Sequence, residues 1–167
     1  MRIFAVDPGT EMSAVVEYTT NRLVVRADIL RNEELIKEIK DDALHGCSDV
    51  YVFEMIESMG MAVGRETFQT VLWIGRMYQE CVRAGRRTEL VYRSQVKLAI
   101  CNDRRARDAN IRAEIADRFG GKLRAFGSKK NPGPLFGVTS HKMSALAVAI
   151  AFIDMEKERA ENETRRA

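Results

Sequence analysis

Along the chain the apolar positions fall first into short runs with strand character and later into longer helical stripes. Residues 2–6 are mostly apolar and stop at Asp7-Pro8-Gly9, which reads as a buried strand ending in a turn. Residues 13–18 and 22–28 are two further strand candidates separated by Thr19-Thr20-Asn21; together the three predict an antiparallel meander. Over residues 33–44 the spacing turns helical, with Leu35, Ile36, Ile39, Ala43 and Leu44 on one face and Asn32 placed to cap it. Residues 49–54 return to strand character, and the intervening helix implies a right-handed crossover that sets this strand parallel to the first. Residues 64–84 carry Phe68, Val71, Leu72, Gly75, Tyr78 and Val82 on one stripe of a long amphipathic helix. A fifth strand at 89–93 and a short helical segment at 94–100 follow, then a helix capped by Asp103 that runs to Phe119 and stops at Gly120-Gly121. Residues 120–138 read as a basic loop containing Gly and Pro, and Ser140 as the cap of a last helix to about residue 158.

These elements predict an α/β fold: a mixed five-stranded sheet, three strands antiparallel and two parallel, flanked by helices. One domain over residues 1–155 accounts for them, with a charged tail at 156–167 expected to fray. The hydrophobic share of 46% and charged share of 31% are those of an ordinary globular protein. The first residues enter a strand with no charged leader, and no apolar run approaches the roughly 18 residues a membrane span needs, so a cytoplasmic protein is expected. Cys47, Cys81 and Cys101 are odd in number and widely spaced, which predicts buried free thiols in a reducing compartment.

Charge distribution changes the picture more than net charge does. The net formal charge is only +3, yet residues 1–82 hold 8 Lys/Arg against 14 Asp/Glu, and residues 83–130 hold 14 against 5. A basic middle third points to a polyanionic partner. Arg104, Arg105, Arg107 and Arg112 cluster at the front of one predicted helix, Lys97 lies in the helical segment before it, and Lys129 and Lys130 sit on the loop beyond it. Such residues bind phosphate without reading sequence. Aromatic residues are few there, so base stacking is not signalled.

The candidate chemistry lies elsewhere. Asp7 stands where the first strand meets its turn, as a metal or phosphate ligand or as a plain turn-forming residue. Glu54 ends the apolar run 50–53 in the same manner. On neighbouring parallel strands the two carboxylates fall at matching ends, where a divalent cation between them would relieve their repulsion; Mg²⁺ suits such a pair. His141, near the start of the last helix, is a candidate metal ligand or proton shuttle, and Ser144 is one turn further along the same face.

Phe4-Ala5-Val6-Asp7-Pro8-Gly9-Thr10, Val52-Phe53-Glu54, Ser94-Gln95-Val96-Lys97-Leu98-Ala99, and His141 with Ala145-Leu146-Ala147-Val148-Ala149 together resemble the RuvC-type Holliday junction resolvases. The compact chain looks closer to phage or prophage members, which would place it in a bacterial or phage-infected cell. The resemblance implies a ribonuclease H-like fold, two Mg²⁺ or Mn²⁺ ions, no nucleotide cofactor, and a homodimer that cuts four-way DNA with paired nicks. It also implies a catalytic set of Asp7, Glu54 and His141. Ser144 stands where that family usually offers a second acidic or His ligand, so Glu57, or less suitably Asp103 or Asp108, could complete the set. The family's functional lysine falls near Asp108, which would pass its role to Arg105 or Arg107.

Two rival readings follow from the same residues. Asp7-Pro8-Gly9-Thr10 also resembles the phosphate loop of sugar-kinase and actin-like phosphotransferases, which need two such domains around a nucleotide; 167 residues cannot supply them. Ser144 leaves open a non-catalytic module that binds branched DNA on the same fold.

Overall fold

A computed structural model describes residues 1–46, 48–57, 60 and 62–166; Cys47 therefore lies outside the described residues. Five strands form one sheet in the order β3-β2-β1-β4-β5. They are β1 Arg2–Asp7, β2 Met12–Thr19, β3 Val24–Arg31, β4 Val50–Met55 and β5 Thr88–Tyr92. The meander β1–β2–β3 is antiparallel, while β4 pairs parallel to β1 and β5 parallel to β4, as the apolar pattern predicts. Six helices follow the chain: α1 Asn32–His45, α2 Arg65–Arg83, α3 Arg93–Cys101, α4 Asp108–Arg118, α5 Lys122–Phe126 and α6 Ser140–Arg166. No helix among the described residues is long and apolar enough to cross a membrane.

Period-2 alternation divides the core. Ile3 and Ala5 of β1 and Val50 and Val52 of β4 face α6, while Phe4, Val6, Tyr51 and Phe53 face α1 and α2. Each of these larger side chains, almost fully buried, contributes about 1.5–3 kcal/mol. On α6 the alanines at 145, 147, 149 and 151 are fully buried, and their small volume lets that helix lie close against the sheet.

Several boundaries differ from those expected. Asn32 is not an N-cap: Arg31 holds that position with no side-chain cap bond, and the fully buried Asn32 side chain is used elsewhere. Asp103 does not cap a helix either. Its carboxylate accepts from the Arg105 amide at 2.8 Å and closes a turn, and α4 begins only at Asp108 with Arg107 as its N-cap residue. Consequently Arg104 and Arg105 precede the helix rather than opening it.

The expected loop at 120–138 contains the short α5, and Arg93 opens α3 instead of ending β5. Ser140 is the first residue of α6 with φ of 48°, not an extended cap residue. That helix continues to Arg166, beyond the expected end and through the stretch expected to fray. Cys81 is buried and Cys101 half-buried, both free thiols. The expected helix 64–84 is the continuous α2, with its apolar residues on two faces. Thr70, Ile74, Met77 and Cys81 are its buried face, while Phe68, Leu72 and Val82 of the predicted stripe are exposed.

Candidate metal and nucleic-acid site

The pairing that sets Val6 beside Phe53 brings Asp7 beside Glu54 one step further along two parallel strands. Alternation puts both on the face that carries Ala5 and Val52, which is the α6 side. From there His141, on the first turn of α6, meets Asp7: its Nδ1 lies 3.0 Å from Asp7 Oδ2 across 134 residues of sequence. The sheet and the last helix thus converge on one spot.

The turn after β1 is braced. Gly9 approaches the Met12 carbonyl so closely that an added Cβ would lie 2.3 Å from its oxygen, a contact no side chain tolerates. Ser13 Oγ accepts from the Gly9 amide at 3.2 Å and donates to Asn32 Oδ1 at 2.7 Å, while the Asn32 amide donates to the Gly9 carbonyl at 3.0 Å. With Ser13 and Asn32 both buried, this closed ring of bonds fixes where Asp7 leaves its strand. Neither residue stands out in the sequence as part of a site.

Burial dominates the electrostatics. It raises the Asp7 carboxyl above its usual range, against the lowering pull of His141. Burial also pushes Glu54 up to about 7, with Arg93 pulling it down and Asp7 pushing it further up. Two buried carboxylates held at raised pKa are short of positive charge, which is the condition a divalent cation relieves.

Arg93 supplies part of that charge. Its Nη1 lies 3.3 Å from Glu54 Oε2, and its Nη2 donates to Asp108 Oδ1. Sequence reasoning overlooked this residue because the reading of 89–93 as strand left it as an ordinary edge position.

The remaining candidates divide. Glu57 accepts from the amide and hydroxyl of Ser94 at 3.1 and 3.0 Å, so its carboxylate holds the start of α3. Ser144 lies with His141 along a cleft of about 370 Å³ that Arg93, Asp108 and Arg112 also line. A second cleft of about 300 Å³ contains Asp7, Glu54 and Glu57 with Lys97 and Arg104. Arg105, Arg107, Lys129 and Lys130 are exposed and line neither cleft.

Among the described residues no three His, Cys, Asp or Glu side chains gather tightly enough to cage a metal ion. The donors fit one cation shared by Asp7 and Glu54, since Mg²⁺ is commonly held by one or two carboxylates plus substrate phosphate. For a second ion the donors left beside that pair are His141 and Ser144. Ser144 is neutral, and Arg93 and Ser94 already engage Asp108 and Glu57.

No family model and no characterised protein matches the chain by sequence. Solved structures do match by shape. A Thermus thermophilus RuvC structure superposes with a TM-score of 0.66 at 17% identity, covering 95% of this chain and 96% of that one. T. thermophilus RuvC in complex with a Holliday junction substrate gives 0.66 at 15% identity over the same shares of each chain. The yeast mitochondrial Holliday junction resolvase Ydc2 gives 0.52 at 10% identity, covering 92% of this chain and 78% of that one. The fold is ribonuclease H-like.

Proposed function

We propose that the chain is a divalent-metal-dependent endonuclease that resolves four-way or other branched DNA. One observation carries this reading: Asp7 at the end of β1 and Glu54, one residue before the end of β4, lie side by side on parallel strands, with His141 3.0 Å from Asp7. The fold shared with structures of Holliday junction resolvases adds the substrate class.

Asp7 and Glu54 would hold one Mg²⁺ or Mn²⁺, which when bound polarises the phosphate and stabilises the departing oxygen. His141 is oriented by Asp7 through Nδ1, which leaves Nε2 to take a proton from the attacking water. The water oxygen bonds to phosphorus as the bond to the 3′ oxygen breaks. The products are a 5′ phosphate and a 3′ hydroxyl, the latter protonated from solvent. Lys97 and Arg104 beside the carboxylates, and Arg112 beside His141, would hold the flanking phosphates. Incubation with an end-labelled four-way junction and Mg²⁺ or Mn²⁺ tests the reading; paired nicks are expected.

Ser144 and the incomplete metal cage support a second reading, a branched-DNA-binding module without cleavage. Tight junction binding with no nick at any metal concentration would select it.

Arg105, Arg107, Lys129 and Lys130 extend the basic surface beyond the clefts. Replacing Arg105 and Arg107 with Gln should reduce the slope of log affinity against log salt by about 2, as two lost phosphate contacts require. An unchanged slope would remove both residues from the DNA surface.

The exposed face of α2 supports a homodimer. Phe68, Leu72 and Val82 are 64, 63 and 45% exposed, and the spacing of four, three and seven residues through Gly75 sets them on one outward stripe. Gly75 has open space beside it, so a partner backbone can approach closely. A second copy presenting the same stripe would cover it about a two-fold axis and set two sites on one junction. Leu72→Glu should yield a monomer by sedimentation while circular dichroism stays unchanged; a persisting dimer would place the interface elsewhere.

A further inference from the structure

Arg93 lines both clefts, whereas Lys97, half-buried like it, and Arg104 line only the second and Arg112 only the first. Arg104, Arg105 and Arg107 are exposed. The Arg93 side chain is 25% exposed and reaches inward from the first residue of α3. It lines both clefts, so it is the wall they share between Asp7 and Glu54 on one side and His141 and Ser144 on the other. It donates to Asp108, and its bond to Glu54 is 3.3 Å long. Asp108 holds the guanidinium from the exposed side and Glu54 from the buried side, so the head group stays between the two carboxylates. A guanidinium presents about five N–H donors in a rigid fork, so with these two contacts made it can still offer donors to a phosphate oxygen.

The surrounding charges lead the same way. Asp7, Glu54 and Asp108 face this guanidinium, and on the α6 side Ser144 adds no charge. A cation bridging Asp7 and Glu54 can displace the long Arg93–Glu54 bond and leave Arg93 held by Asp108. The head group is then turned toward the space between the clefts, where a phosphate on the metal-bearing carboxylates would lie.

We infer that Arg93 is a catalytic residue of this site: it contacts the scissile phosphate and supplies, as a fixed guanidinium, the charge of a second divalent ion, so each chain binds one such ion. The inference rests on the proposed nuclease reading. Arg93 neither gains nor loses a proton in the step; it balances the negative charge that builds on the non-bridging oxygens as water attacks and the 3′ oxygen departs.

The test uses the full chain as wild type, Arg93→Ala and Arg93→Lys, with thermal melts to establish folding. Mn²⁺ alone is titrated without DNA, and the free ion is followed by electron paramagnetic resonance. Cleavage of a four-way junction is measured separately. Wild type is expected to bind one Mn²⁺ per chain. Arg93→Ala should bind Mn²⁺ about tenfold more tightly, because Glu54 loses a competing cation, and should cut about a hundredfold or more slowly. A merely structural residue would not tighten metal binding when removed. Arg93→Lys keeps the charge but not the fork, and should restore wild-type Mn²⁺ affinity with only part of the rate. If Arg93→Ala fails to fold, Arg93→Gln carries the same expectation.

Two Mn²⁺ per wild-type chain, or an unchanged Mn²⁺ affinity in the neutral variant, overturns the inference whether or not the protein cuts DNA. Full cleavage by the neutral variant also overturns it. One Mn²⁺ in wild type with tighter binding in the variant, but no cleavage by either, overturns the nuclease reading and upholds the assignment of Arg93 as the built-in cation.

Discussion

Asp7→Asn should abolish junction cleavage, a loss of roughly a thousandfold or more, and leave junction binding within about twofold. The substitution keeps the shape of the side chain and removes its charge. Asp7 is expected both to bind the cation and to orient His141, and a carboxamide does each poorly. Its amide nitrogen can also face His141 Nδ1, which would favour the other ring tautomer and take Nε2 out of its role as proton acceptor. The residues proposed to bind phosphate lie on α3, α4 and the turns beside them, so affinity should survive. Parallel gel-shift and cleavage assays on one junction decide it. A variant that cuts at the normal rate would remove Asp7 from the chemistry.

Glu54→Gln should stabilise the metal-free protein by about 2–3 kcal/mol at neutral to alkaline pH, an unusual gain for a substitution at a buried site. Burial pushes this carboxyl up to about 7 in the folded chain, against 4.5 for the unperturbed group. Between those values the folded state holds a proton that the unfolded state has released. The Glu54 contribution is therefore fully present at acid pH and is lost as pH rises through 4.5 to 7, by about 3 kcal/mol at full effect. Asp7 is raised by burial and adds in the same direction. Melts from about pH 5 to about pH 8 should show the decline in wild type and flatten much of it in Glu54→Gln. Mn²⁺ should restore wild-type stability at the alkaline end and do little at the acid end, because it binds the ionised form. A wild-type profile flat over this range would show that Glu54 ionises without cost.

Much of the site was legible because strand ends are simple objects. A run of apolar residues closed by a single carboxylate, twice, at 3–7 and 50–54, is a pattern that a parallel crossover turns directly into proximity. His141 joined through the helix that small alanines draw onto the sheet. Arg93 escaped for a local reason. The chain passes from β5 into α3 without a loop, and a boundary error of one residue turns an inward guanidinium into an edge-strand side chain. The ring of Gly9, Ser13 and Asn32 escaped for a different one: its members come from three elements and carry no periodic signal.

α2 was misread because it is apolar on two sides. Phe68, Leu72 and Val82 interleave with Ile74, Met77 and Cys81, and spacing alone does not say which set faces the sheet. α5 is five residues between glycines, too short for any period to register.

The meeting of Asp7 with His141 has a consequence for synthesis. On the ribosome Asp7 and the basic residues of α3 and α4 are made well before His141. Until α6 emerges and docks on β1, the sheet face of Ile3, Ala5, Val50 and Val52 lacks its cover, so an early-terminated product lacks both the histidine and the core on which α3 and α4 pack. Errors of translation in this protein would then yield chains that fail to fold rather than unregulated scissors.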